Sequence, residues 1–198
     1  MIFQMQLTDL QVEPKATTST AQFGVSFASS DGKDLFVARR DGLSVHRLHP
    51  YTQWAKFREE AKRLWDKYKR IAAPQAIDML VVRNINRLEL SPDEQLESFV
   101  RLYPVIPEQL PQQLSNFAMS VDLPLGDLGR LIVNEGFIPP VDPNKVGLLL
   151  DITACKQLGP TSENVDEAAM WSILDQLRDA KDRAFEACIT DTVRKMIS

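Results

Sequence analysis

Arg83-Asn84-Ile85-Asn86-Arg87 places two guanidiniums two positions either side of an isoleucine, with two asparagines interleaved. In an extended strand Arg83, Ile85 and Arg87 share one face and Asn84 and Asn86 the other. Guanidinium pairs bidentately with carboxylate or phosphate, so the two arginines read as a fork for such an anion. The asparagines suit backbone groups at a bulge or a neighbouring loop. The structural alternative is that the arginines bridge to acids of the second half, such as Asp151. Lys181 is a second anomaly, since it projects onto the centre of an apolar arc made by Met170, Leu174, Leu177, Ala184, Phe185 and Cys188. An ammonium there must snorkel outward or meet an acid, and Asp151 is the expected partner. Arg47, Arg83, Asn86, Arg87, Asp151 and Lys181 form the candidate ligand-binding set, in a cleft between two halves.

A different chemistry is offered by Lys56, Arg63, Lys67 and Arg70, which fall within about 60° of one another on a helix. They are expected opposite its aromatic stripe, with Glu59→Arg63 and Asp66→Arg70 as partly neutralising i,i+4 pairs. This stripe is the candidate partner-binding surface, for an acidic protein or a nucleic-acid backbone.

Nucleophilic, metal and phosphate-loop chemistry have little support. There is no Gly-x-Ser-x-Gly elbow, and neither cysteine lies near a histidine in sequence. His46 and His49 are the only histidines, and they do not share a face. No glycine-rich strand-to-helix turn is present. No catalytic residue, metal or cofactor is therefore assigned.

The elements that position these residues follow from periodicity. Residues 2–7 read as a short strand, then 22–29, 35–39 and 43–48 as a three-stranded meander with Asp41-Gly42 as its second turn. A helix opened by Pro50 carries Trp54, Phe57, Ala61, Leu64, Trp65, Tyr68 and Ile71 in one arc of about 120° and ends at Pro74. A strand over 77–90 follows, apolar on both faces at its start. Ser91-Pro92-Asp93-Glu94 predicts a short helix over 94–101, and Pro104, Pro107 and Pro111 an extended connector. Strands are predicted over 117–125, 130–138 and 146–154, and a terminal helix over about 166–196 with Thr161, Ser162 or Asn164 as its cap. The expected fold is α+β: two pseudo-repeated antiparallel meanders, each with a helix on one face. Its halves are residues 1–90 and 115–198, joined by the connector 91–114.

Composition sets the outer limits. The 198 residues are 44% hydrophobic and 25% charged, which excludes wholesale disorder and a disulfide-stapled miniprotein. The densest apolar run, Val146 to Leu150, is far short of the roughly 20 residues a membrane helix needs. The N-terminus lacks a basic stretch before an apolar core, so no signal peptide is expected. Two cysteines inside regular elements point to a reducing, cytoplasmic setting. The net charge of −4 hides an asymmetry: residues 33–88 hold 13 Lys/Arg against 6 Asp/Glu, and the rest 10 against 21. The acidic chain as a whole argues against generic nucleic-acid binding; its basic third either pairs with acidic surface elsewhere in the fold or dimer, which is the expectation, or forms a docking face for an acidic protein or a phosphate backbone.

Several runs resemble a sporadically distributed bacterial family of uncharacterised proteins. They are Phe27-Ala28-Ser29-Ser30-Asp31-Gly32, then Arg47-Leu48-His49-Pro50-Tyr51-Thr52-Gln53-Trp54, and Val82-Arg83-Asn84-Ile85-Asn86-Arg87. The family usually shows Arg-Tyr-Ile-Asn-Arg at the last of these, so Asn84 departs from the pattern. Leu150-Asp151-Ile152 and Leu177-Arg178 with Lys181, Phe185-Glu186 and Ile189-Thr190 extend the similarity to residues 22–195. The resemblance implies no activity, cofactor or catalytic residue, and sporadic occurrence implies traffic on mobile elements, in defence or toxin–antitoxin work. The expectation is a cytoplasmic, non-enzymatic binding protein that acts through a protein partner or self-association. The rival is an enzyme or small-ligand protein with the Arg/Asn-lined cleft.

Overall fold

The chain reverses at Arg40-Asp41, one residue before the predicted Asp41-Gly42 turn: Arg39 pairs with Gly42, which already begins the next strand, and Asp41 does not take the positive φ that a type I′ turn centred on Asp41-Gly42 requires. The structure, a computed structural model, describes residues 24–48, 53–158 and 166–197. The expected strand over 2–7, Pro50, and the caps Thr161, Ser162 and Asn164 lie outside the described residues. The chain divides into two units, Met1–Pro74 and Gln75–Ser198. Both carry an antiparallel sheet, of three and four strands, together with helices, so the fold is α+β.

In the first unit β1 (Gly24–Ala28), β2 (Asp34–Arg39) and β3 (Gly42–Arg47) pair in that order, with Phe27 opposite Phe36 and Phe36 opposite Val45. The turn before β2 is closed by its own side chains. The Ser29 hydroxyl donates to Asp31 Oδ1 (2.6 Å), which also accepts the Lys33 amide (3.1 Å), and the Asp34 amide donates to Ser29 Oγ (3.0 Å). Helix α1 (Trp54–Ala72) follows. It ends where Ala73 turns left-handed (φ 44°) and returns its amide to the Lys69 carbonyl (3.0 Å), one residue before Pro74 forbids another helical turn.

In the second unit β4 (Met79–Leu90), β5 (Ala118–Pro124), β6 (Arg130–Ile138) and β7 (Val146–Gln157) make one antiparallel sheet in the order β4-β7-β6-β5. Helix α2 (Glu167–Cys188) lies against β4 and β7. Leu148, Leu150, Ile152 and Ala154 are fully excluded from water beneath it, with Leu88, Leu131 and Val133 beside them. Leu177, Met170 and Ala184 close the core from the helix. This burial is the dominant stabilising term, since each such side chain contributes roughly 1.5–3 kcal/mol.

Three boundaries differ from the sequence reading. The strand over 79–90, grouped there with the first half, pairs along all twelve residues with β7 and belongs to the second unit. The reason is long-range: antiparallel pairing with a strand 60–70 positions later satisfies its backbone. The expected helix over 94–101 contracts to one 3-10 turn, Leu96–Ser98. Phe99 and Val100 are then buried, and Val100 bridges Ile189. That bridge also breaks the terminal helix. Arg101 donates its amide to the Cys188 carbonyl (2.7 Å) and Thr190 donates its amide to Phe99 (3.0 Å), so Ile189 is extended and a separate α3 (Asp191–Met196) begins.

Candidate functional site

The alternation of β1–β3 puts Val25 and Phe27, Phe36 and Ala38, Val45 and, at the strand ends, Asp34 and Arg47 on a single face of the small sheet. Together with Phe57, Leu64, Tyr68 and Ile71 of α1, these residues line an open cleft of about 1060 Å³. The helix does not seal the sheet: only Tyr68 of α1 is buried, while Val25 and Phe27 remain about half exposed. The Tyr68 hydroxyl donates to the Arg39 carbonyl (2.9 Å) and fastens the helix to the end of β2.

Cations surround this apolar floor. Arg39, Arg40, Arg47, Lys56, Arg63 and Lys67 border the cleft, against the carboxylates of Asp34 and Glu60. Arg47 pairs with Asp34 through Nη1, a hydrogen bond that raises the Arg47 pKa, and its Nε is buried without a hydrogen-bond partner. Arg63 forks onto Glu60, with Nε donating to Oε2 at 2.8 Å and Nη2 to Oε1; this hydrogen bonding lowers the Glu60 pKa.

The predicted basic stripe is therefore displaced from its expected setting. Lys56, Arg63 and Lys67 flank Phe57, Leu64 and Tyr68 at the cleft and do not stand opposite the whole aromatic stripe. Arg70 is not among the lining residues and donates Nε to the Asp66 carbonyl (3.2 Å). The expected Glu59–Arg63 pair is replaced by Glu60–Arg63, one residue closer, because a guanidinium reaches i−3 as readily as i−4. Arg39, Arg40 and Glu60 were missed by sequence reading; their proximity to the cleft depends on how α1 crosses the sheet.

Of the other six candidates, the five in the second unit do not meet in one pocket. Arg47 belongs to the first unit. In the second, Arg83 and Arg87 lie on the uncovered side of β4, and Asn86 lies on the α2 side. Arg83 grips Asp151 bidentately (Nε–Oδ1 2.8 Å, Nη2–Oδ2 2.7 Å), and Asn134 Nδ2 adds a longer contact to Oδ2 (3.4 Å). That is the bridge to the second half anticipated as the structural alternative. Arg87 donates Nε to Glu89 (2.9 Å) and Nη2 to the Pro139 carbonyl. Asn86 donates to the Leu150 carbonyl (3.1 Å).

Lys181 corrects an expectation. It is buried, but its ammonium pairs with the neighbouring Asp182, not with Asp151. Strand alternation points Asp151 to the uncovered side of β7, whereas Lys181 comes from the helix on the opposite side.

Sequence reading also passed over Glu135. It shares the α2 side of β6 with Leu131 and Val133, is 2% exposed, and neither carboxylate oxygen has a hydrogen-bond partner in the structure. Burial raises its pKa to about 7. Cys188 of α2 is also buried; desolvation first and then the Glu135 charge push its thiol to about 11. The signal was available: an acid at a period-two apolar position. Among the described residues no group of three His, Cys, Asp or Glu side chains is placed to hold a metal ion.

The chain matches no protein-family model, no curated protein and no solved structure.

Proposed function

We propose that the protein is a binding protein whose first unit recognises an acidic, amphipathic segment of a protein partner. The observation that carries this reading is the combination of an open apolar floor (Val25, Phe27, Phe36, Phe57, Leu64) with six bordering cations and two carboxylates. At about 1060 Å³ the cleft reaches the upper end of the range for small-molecule sites, and its open side suits one face of a helix or strand. Apolar contacts would supply affinity, and the Lys56, Arg63, Lys67 flank would set on-rate and selectivity for acidic partners.

A pseudo-duplicated architecture is part of the same proposal. Each unit carries a three-strand antiparallel run followed by a helix, with β4 added to the second. A cytoplasmic setting accords with two free cysteines. An accessory role in mobile-element, defence or toxin–antitoxin systems accords with the family that the sequence resembles.

Trp54 and Trp65 on α1 provide the readout. Titrating the full chain with designed amphipathic helices, identical in apolar face and carrying either Glu or Lys on the polar face, should change Trp emission with the acidic peptide only. Combined Lys56→Glu, Arg63→Glu and Lys67→Glu should weaken that binding by about tenfold or more. Equal response to both peptides, or a response to RNA alone, excludes the reading.

A further inference from the structure

The two edges of the four-stranded sheet are built differently. Edge strand β5 is seven residues long and ends in Pro124, a residue that cannot donate to a ladder. Edge strand β4 runs for twelve residues, MLVVRNINRLEL, without proline, glycine or lysine; its charges are Arg83, Arg87 and Glu89, of both signs, and its register with β7 is unbroken by a bulge. Proteins normally blunt an exposed edge with such residues, because a row of free N–H and C=O groups is a template for another strand. Among the described residues β4 pairs with β7 alone. We infer that β4 is a self-association edge: two copies of the chain join β4 to β4 antiparallel about a two-fold axis, making one eight-stranded sheet.

Charge narrows the register. Copies centred on Ile85 would oppose Arg83 to Arg87, and copies centred on Arg87 would oppose that residue to itself; both are repulsive. Centring on Asn86 sets Arg83 opposite Glu89 twice and pairs Val82 with Leu90 and Asn84 with Leu88. Glu89 stands on the same side of β4 as Arg83, its side chain 28% exposed, with Oε1 accepting from Arg87 and from the Val141 amide (3.2 Å). Arg83 contacts Asp151 through Nε and Nη2, and its side chain remains about half exposed.

The helix-covered side agrees. Asn84 and Asn86 are polar where a core strand would be apolar, and Asn84 Nδ2 donates to Asn86 Oδ1 (3.2 Å). In this register Asn86 meets its own copy at the axis, which extends that amide ladder across the junction. Helix α2 lies over both β4 and β7, so the two-fold sets the α2 helices of the two copies side by side on one face of the joined sheet.

Sedimentation velocity on the full chain from about 1 to 100 µM should show a concentration-dependent dimer. Glu89→Arg, which sets an arginine opposite Arg83 on both sides of the axis, should weaken it by about tenfold or more. A second test does not depend on charge. Val81 and Ser91 stand about 33 Å apart along one strand but directly opposite between copies, so Val81→Cys with Ser91→Cys should cross-link on oxidation into covalent dimers. A Cys155→Ser background removes the cysteine beside Val81, and Val81→Cys alone should not cross-link. A monomer at 100 µM overturns the inference. So does a dimer that Glu89→Arg leaves unchanged and that the cysteine pair fails to trap.

Discussion

The Tyr68 hydroxyl donates to the Arg39 carbonyl at 2.9 Å, joining the last turns of α1 to the end of β2. Tyr68 is the single buried residue of this nineteen-residue helix, and its hydroxyl ties the cleft wall to the sheet. Tyr68→Phe keeps the ring and removes the donor. It should cost about 1 kcal/mol in thermal or denaturant unfolding. Tyr68→Ala also removes the ring, and should cost about 3 kcal/mol or more.

Glu135 makes stability pH-dependent. Its pKa is about 7 in the folded chain and about 4.5 when unfolded. Below 4.5 it is protonated in both states; between 4.5 and 7 the unfolded chain alone releases the proton. Its contribution is therefore fully present at low pH and lost as pH rises through 7, a fall of roughly 3 kcal/mol. Denaturant midpoints from pH 5 to 8 should show that decline in the wild type. Glu135→Gln should flatten it; an unchanged slope in the variant would show that another group is responsible.

Cys188 and Cys155 should separate in reactivity. Cys188 is buried and its thiol is pushed up to about 11, so thiolate is scarce at pH 8. Cys155 is half-buried on the uncovered side of β7. A thiol reagent should modify one cysteine quickly and the second only on unfolding, with mass spectrometry of the peptides identifying Cys155 as the fast site.

Gly129 is the position least tolerant of a side chain. It has φ 122°, and a Cβ there would lie 2.1 Å from the Cys155 carbonyl oxygen and 2.9 Å from Lys156 Cα. Gly129→Ala should cost at least 2–3 kcal/mol, because both the backbone region and the neighbouring strand resist. Gly32→Ala, with left-handed backbone but open space around it, should cost only about 1 kcal/mol.

Arg83→Ala strips the guanidinium from Asp151, which is 4% exposed. Unfolding measurements should show a loss of about 2 kcal/mol, less than for a fully buried pair because Arg83 is itself half in solvent. Asp151→Asn in the same background should recover part of that loss.

Local chemistry in the sequence determined a great deal. Asp41-Gly42 announced the turn between β2 and β3 to within one residue, period-two alternation announced β1, strand-like runs between Gly and Pro turns announced β5–β7, and the 3.6-residue recurrence from Trp54 to Ile71 announced α1. Each depends on neighbours within a few positions, so the sequence carries it directly. The tertiary structure alone decided which unit owns β4, because its partner β7 lies 60–70 residues downstream and nothing in 79–90 names it. It also decided that Ile189-Thr190 leave the helix for Phe99 and Val100, and that Asp151 answers Arg83 and not Lys181. The basic flank of α1 was legible as a stripe of charge; its place beside an open apolar floor was not. That depends on the angle at which one helix crosses one sheet, which is set by packing between elements and not by the residues of either.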